Sequence, residues 1–222
     1  ICTIFVRKLY RFKKLGLFLI HTGILFLLIG GGLTSYLGIE SQMVIEEGET
    51  KNYSEDMRHV ELAIINRSDP HKDTVISIPQ SILEKQHVIQ NPKFPFTLKI
   101  KAFLPNAKLS MKASKSRSEI VLPTVSQGIG SKIRVSPLLF VQDKQVNNAT
   151  VFVEILDDNK PLGTWLLSRL LAAPQQFIIK GSTYEFSIRP MRYYTPYQMT
   201  LKEFRHDRYK GTNIPKNFSS LI

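Results

Sequence analysis

Residues 15–39 hold no Asp, Glu, Lys or Arg. Such an apolar run is long enough to cross a bilayer as a helix, and it predicts a transmembrane helix over 15–38. Beyond residue 40 the helical period fades. Short alternating or β-branched runs take over, bounded by Pro, Gly, Asn and Asp, which is a strand-and-turn pattern. It predicts strands at 60–66, 74–78, 96–103, 150–156, 163–167, 176–180, 183–188 and 197–204. Turns are expected at Asn66-Arg67-Ser68-Asp69-Pro70 and Asp157-Asp158-Asn159-Lys160-Pro161, and short helical turns at 80–85 and 168–172. The fold expected is one membrane helix followed by a mostly β, sandwich-like domain over 39–222.

Within that domain Pro95-Phe96-Thr97-Leu98-Lys99-Ile100-Lys101-Ala102-Phe103 echoes Pro196-Tyr197-Gln198-Met199-Thr200-Leu201-Lys202-Glu203-Phe204, 101 residues later. The shared pattern is Pro-aromatic-x-apolar-x-apolar-Lys-x-Phe. In each copy the aromatic and the next two apolar residues should line one half-buried face. The elements before each copy also follow in the same order. We therefore expect two related β units, at 43–105 and 149–206, joined by a basic, Ser-rich linker at 106–135. If so, the two Pro-aromatic strands should occupy equivalent places. The alternative is chance likeness between amphipathic strands.

Charge adds an orientation. Residues 1–14 carry Arg7, Lys8, Arg11, Lys13 and Lys14 and no acid. Positive charge beside one end of an apolar span marks the cytoplasmic side, so residues 1–14 are expected in the cytoplasm and 39–222 outside it. A signal peptide has a shorter apolar core and a small-x-small cleavage site; Gly30-Gly31-Gly32-Leu33-Thr34-Ser35-Tyr36 is a poor one, and a retained helix is the better reading. The chain begins on Ile, with Ile1 to Val6 apolar, and reads as a piece of a longer protein that starts at the end of an earlier span. The net charge is +12 over 222 residues, and +7 of it lies in 40–222. Lys108, Lys112, Lys115, Arg117, Lys132 and Arg134 are its densest part. They read as a solvated face or as a contact for anionic headgroups. An extracytoplasmic domain argues against nucleic acid as a partner. The chain has one cysteine, Cys2, which excludes a disulfide framework and a thiolate metal cage.

His21 is the residue in this pattern best suited to chemistry. At about 1.5 Å per residue it sits roughly 9 Å inside the basic end of the helix. Polar groups at that depth face a partner helix, a cavity or a cofactor, and neutral imidazole is a good axial ligand for haem iron. Leu17, Phe18, Ile24, Leu25 and Leu28 share its face. Gly16, Gly23 and Gly30 form a small-residue stripe about 160° away, a surface for close helix packing. The alternative for His21 is an interhelical hydrogen bond. His59, His71, His87 and His206 have no ligand spacing and read as strand or surface residues. No phosphate-loop, nucleophile-elbow or zinc pattern occurs, and no acid/base pair stands out, so an outer hydrolase is disfavoured.

Two blocks carry a family resemblance. One is Gly16-Leu17-Phe18-Leu19-Ile20-His21-Thr22-Gly23-Ile24-Leu25-Phe26-Leu27-Leu28-Ile29-Gly30 with Ile45-Glu46-Glu47-Gly48-Glu49-Thr50. The other is Tyr194-Thr195-Pro196-Tyr197, Leu201, Phe204, Tyr209-Lys210-Gly211-Thr212 and Ile214-Pro215-Lys216-Asn217-Phe218-Ser219-Ser220. Together they resemble the ResB family of system II cytochrome c biogenesis proteins; residues 60–190 are only loosely similar. The resemblance implies a subunit of a cytochrome c synthase, in a bacterial inner or a thylakoid membrane. That machine moves haem b across the membrane and attaches it to the Cys-x-x-Cys-His motif of apocytochrome c. The implied partner is a ResC-type membrane subunit, separate or fused. The implied role of this chain is non-catalytic or co-catalytic, with His21 ligating haem iron in transit. A cofactor-free, membrane-anchored β scaffold is the competing reading.

Overall fold

A computed structural model describes residues 15–69, 72–111, 121–141 and 147–222. The chain divides into two compact units, at residue 40. The described part of the first is the helix α1 (Leu15–Leu37). It is long and apolar enough to cross a membrane, and none of its residues is buried within the chain. A helix apolar on all sides is one whose surroundings are themselves apolar.

The strands of the second unit all pair antiparallel. One sheet, sheet A, has the order β3 (Thr74–Pro79), β2 (Thr50–Asn66), β11 (Ser182–Thr200), β10 (Gln175–Ile179), with the short β1 (Ser41–Gln42) also on β2. The other, sheet B, has the order β4 (Val88–Gln90), β5 (Thr97–Leu104), β8 (Thr150–Asp157), β9 (Lys160–Ser168). Their facing residues form one core. Val60, Leu62 and Ile64 of β2 and Phe186 and Ile188 of β11 meet Leu98 and Ile100 of β5 and Val151, Val153 and Ile155 of β8. Each set is spaced by two, as strand pleating requires. Trp165 lies at the centre, against Phe177 and Phe186 with ring centroids 5.9 and 5.8 Å apart. This is the expected mostly β sandwich behind an apolar helix.

The expected helical turn at 80–85 is present as α2 (Gln80–Lys85). The segment 168–172 is a turn without a helix. The Asp158-Asn159 and Lys180-Gly181 corners all have positive φ, the mirror-image turn that suits a tight hairpin. Two expected strands are much longer than anticipated: 60–66 is the end of a 17-residue strand and 183–188 the start of a 19-residue one.

The 106–135 segment is not a bare linker. It contains β6 (Ala107–Met111) and leads into β7 (Ile133–Pro137), which pair with each other. Ala107 and Val135 pack with Phe152 and Leu166 on the face of sheet B turned away from the main core. Gly128 locks this layer down: its φ is +68°, and a Cβ there would meet Gln175 Oε1 at 1.9 Å. Gln175 accepts from Ile129 N–H (3.1 Å) and donates to the Leu166 carbonyl. Of the basic cluster, Lys112, Lys115 and Arg117 lie outside the described residues, as does His71.

The echo at 101 residues does not mark equivalent positions. Pro95 precedes β5, and Phe96, Leu98 and Ile100 are buried. Pro196 instead lies in an irregularity of β11, where residues 195–198 interrupt the pairing between Tyr194↔Tyr53 and Met199↔Lys51. Tyr197 is exposed. A proline donates no ladder hydrogen bond, so both sites suit it for different reasons, a strand start and a bulge. The counterpart of Phe96-x-Leu98-x-Ile100 is Tyr184-x-Phe186-x-Ile188, 88 residues on, which is buried likewise. The sheets correspond by topology: exchanging β2 with β8, β3 with β9, β4 with β10 and β5 with β11 converts one order into the other. Each sheet thus holds one hairpin from each half of the domain.

Trp165 is the only tryptophan, so its fluorescence reports this core. Phe186→Ala removes a ring packed on Trp165 and should lower unfolding stability by about 3–5 kcal/mol. The exposed change Ser219→Ala should stay within about 0.5 kcal/mol. Urea titration of the full chain in detergent, read at Trp165, checks both.

Candidate functional site

In α1, His21 Nδ1 lies 2.8 Å from the carbonyl oxygen of Leu17. A carbonyl only accepts, so Nδ1 donates. In the neutral ring Nε2 then keeps its lone pair. The backbone turn therefore fixes the tautomer that a ligand to a metal needs, in the way second-shell acceptors orient ligating histidines. Among the described residues no group of three or more His, Cys, Asp or Glu comes together to hold a metal ion. The donor set is one imidazole on an apolar helix. That suits a metal whose other ligands come from its own macrocycle. The glycine stripe is open: a Cβ at Gly16, Gly23 or Gly30 would meet nothing within 4 Å.

A second constellation, which the sequence reading passed over, lies on the β2·β11 ladder. Glu55 pairs with Arg192 and Val60 with Pro190, so residues 56–59 stand opposite Met191 alone. Asp56 closes this bulge. Its Oδ1 accepts the N–H groups of Arg58 (2.7 Å) and His59 (2.8 Å). Its Oδ2 accepts from Tyr193 Oη (2.7 Å) and lies 3.2 Å from His59 Nδ1. Burial pushes the Asp56 carboxyl up, but the hydrogen bonds from His59, Arg58 and Tyr193 outweigh it and hold it below its usual value of 3.8. Burial, with the hydrogen bond to Asp56, drives the Tyr193 hydroxyl up to about 12.

Next to it Glu61, also buried, accepts from Arg189 Nε at 2.7 Å and from Ser77 Oγ. Arg192 pairs with Glu55 at 3.0 Å and stacks over Tyr53 at 4.1 Å from the ring centroid. A signal was present in the sequence only for Glu61, an acid inside the apolar run from Val60 to Ile65; Asp56 lies in a polar stretch and carried none. Chemically the cluster keeps Asp56 ionised and Tyr193 neutral. That is a clamp and not an acid–base pair poised near neutrality. His87 and His206 are placed on strand β4's approach and on β12 (Glu203–Arg208), apart from this cluster.

A cavity of about 570 Å³ opens at the hairpin end of the sandwich, lined by Asn91, Phe94, Phe96, Asp158, Asn159 and Lys180 among others. Lys180 Nζ is held by Asp157 (3.7 Å) and Asp158 (3.6 Å).

No family model matches this chain. Over 218 residues it is 25% identical to the protein NrfI of Wolinella succinogenes. The match takes in 97% of this chain and 20% of that relative, so the chain spans about a fifth of NrfI.

Asp56→Ala should cost about 2 kcal/mol, since it leaves two bulge N–H groups and the Tyr193 hydroxyl without their acceptor. Asp56 has a lowered folded pKa, so its contribution is complete above its usual value and fades as pH falls through the folded one. Acidification below pH 3.8 should therefore destabilise the native chain more than Asp56→Asn. Tyr193 is the reverse case: its contribution is complete below pH 10 and fades as pH rises toward about 12. Tyr193→Phe should flatten that alkaline limb. Urea midpoints read at Trp165 across pH test all three.

Proposed function

We propose that this chain belongs to a ResB-type membrane protein of cytochrome c biogenesis. In this reading it helps haem b across the membrane and supports its attachment to apocytochrome c, with a ResC-type partner. The similarity to NrfI, a cytochrome c biogenesis protein, supports the general role in that process. The finer assignment rests on the two motif blocks and on His21.

The observation that carries it is the Nδ1 hydrogen bond to Leu17, which leaves Nε2 of an intramembrane-type histidine as a free lone-pair donor. Haem, when bound, would supply an iron that His21 could hold through Nε2. The chain's own residues do the rest. The Leu17 carbonyl sets the ring's tautomer. Leu17, Phe18, Ile24, Leu25 and Leu28 offer an apolar, water-excluding face. Gly16, Gly23 and Gly30 permit close approach of a partner helix. The outer domain, residues 41–222, has no thiol. It cannot enter exchange with the cysteine pair of apocytochrome, so its part is to position, with thiol redox supplied elsewhere.

Visible absorption tests the proposal. The full-length protein is purified with its partner, unchanged and as His21→Ala. The unchanged complex should show a haem Soret band that weakens or shifts in the variant at equal assembly. An identical spectrum would remove His21 as a ligand. Haem-free samples of both would favour the cofactor-free scaffold.

A further inference from the structure

The last described segment, β12 (Glu203–Arg208) paired with β13 (Pro215–Leu221), stands apart as a two-stranded sheet. Every residue of β13 and all of β12 but Glu203 is exposed. Such a ribbon is marginal in water by itself, so it calls for a surface to lie on. Register shows which side is apolar. Phe204 faces Ser220 and His206 faces Phe218 on one side, while Arg205 faces Ser219 and Asp207 faces Asn217 on the other. The first side is a stack: His206 and Phe218 lie 4.5 Å apart at 15°, and Phe204 and Phe218 6.3 Å apart at 22°. Tyr209 and Ile214 are exposed near the tip.

Two further observations choose the occupant. Beyond residue 40, six Phe or Tyr side chains are exposed among the described residues, and five of them, Tyr194, Tyr197, Phe204, Tyr209 and Phe218, fall between 194 and 218. The stretch 202–222 also carries five cations against two acids. Arg205 is paired with Glu203 and Arg208 bonds Asn213. Lys202, Lys210 and Lys216 make no ion pair with a described residue. Clustered aromatics with surplus cations are the composition of a bilayer interface, where rings sit at headgroup level and each Lys or Arg near an anionic surface adds about 1 kcal/mol. The base of the ribbon is fixed to the stretch that follows the candidate span: Phe204 N–H donates to Glu47 (2.6 Å) and Gly48 N–H to the Leu201 carbonyl (2.7 Å). Glu47 is ten residues after Leu37.

We propose that the β12–β13 ribbon is a second membrane contact, laying its Phe204–His206–Phe218 side into the headgroup region of an anionic bilayer, with Lys202, Lys210 and Lys216 on the lipid phosphates. This reading needs the candidate span but not haem.

The test uses the full chain with Cys2→Ser, carrying a bimane at Ser220→Cys or, as a control, at Ser68→Cys in the β2–β3 loop. The protein is reconstituted into phosphatidylcholine vesicles with nitroxide-labelled headgroups, with and without phosphatidylserine. Bimane at Ser220→Cys should be quenched several-fold more than at Ser68→Cys, and more strongly with phosphatidylserine. Adding Phe204→Ser with Phe218→Ser should bring it to the control level. Changing Lys202, Lys210 and Lys216 to Gln should abolish the phosphatidylserine effect, with Trp165 emission unchanged as the check on folding. Equal quenching at the two sites in both lipids overturns the proposal. So does a ribbon that becomes shielded only when a partner protein is added.

Discussion

The β2·β11 pairing is the constraint on which the β unit depends. Both strands are far longer than a typical strand, and they serve two purposes in sequence. At one end they are the central pair of sheet A, with Leu62, Ile64, Phe186 and Ile188 facing the core. At the other they leave the core and carry β1 and the connection to β12. A regular ladder of that length would keep the same side chains on the same face throughout. The bulge at 56–59 breaks that rule. It inserts a locally unpaired stretch whose donors need an acceptor, and Asp56 is that acceptor. One carboxylate thus lets a strand change role midway while accepting the N–H groups that the bulge takes out of the ladder. Tyr193 ties the other strand to the same oxygen that meets His59.

The hairpin topology makes that joint more consequential. Each sheet takes one hairpin from each half of the domain, so neither half contains a complete sheet. The contacts that join the halves are the inner pairs β2·β11 and β5·β8. Sequence separation across β2·β11 is over a hundred residues, and such non-local pairing closes late and slowly. Buried ion pairs such as Glu61–Arg189 are poor sources of net stability, but they penalise any register that leaves one partner alone. Their place on the joining ladder suits a role in selecting register.

The sequence was informative where one residue type answers one question. The apolar run of α1, the alternation in β5, the β-branched run of β8 and the turn at Asp157 to Pro161 were legible, because burial and turn chemistry act locally. Strand length was not. The outer halves of β2 and β11 are polar and half-exposed, and their hydrogen bonds come from a strand far away in sequence. The echo between Pro95 and Pro196 misled for a related reason. Proline before an aromatic is compatible with both a strand start and a bulge, and only the partner strand decides which. Asp56 was passed over because its value lies in two N–H donors of the bulge and in a hydroxyl from the distant β11. His21 was legible as an anomaly, being the one imidazole in an otherwise apolar run.

That anomaly is also where the energetics are most demanding. A neutral imidazole in an apolar layer costs less than a charged one, but its two nitrogens still need partners. The helix answers for one, since the Leu17 carbonyl takes the Nδ1 proton. It has nothing for the other. Serine and threonine in such helices bond back to the preceding turn and are then satisfied, as Thr34 is by Gly30. Histidine bonded in the same way keeps an acceptor pointed away from its own backbone. A helix that needed only a tolerated polar residue would be served by threonine. Retaining an imidazole leaves a directional lone pair to be completed from outside the helix, by a donor on a neighbour or by a metal.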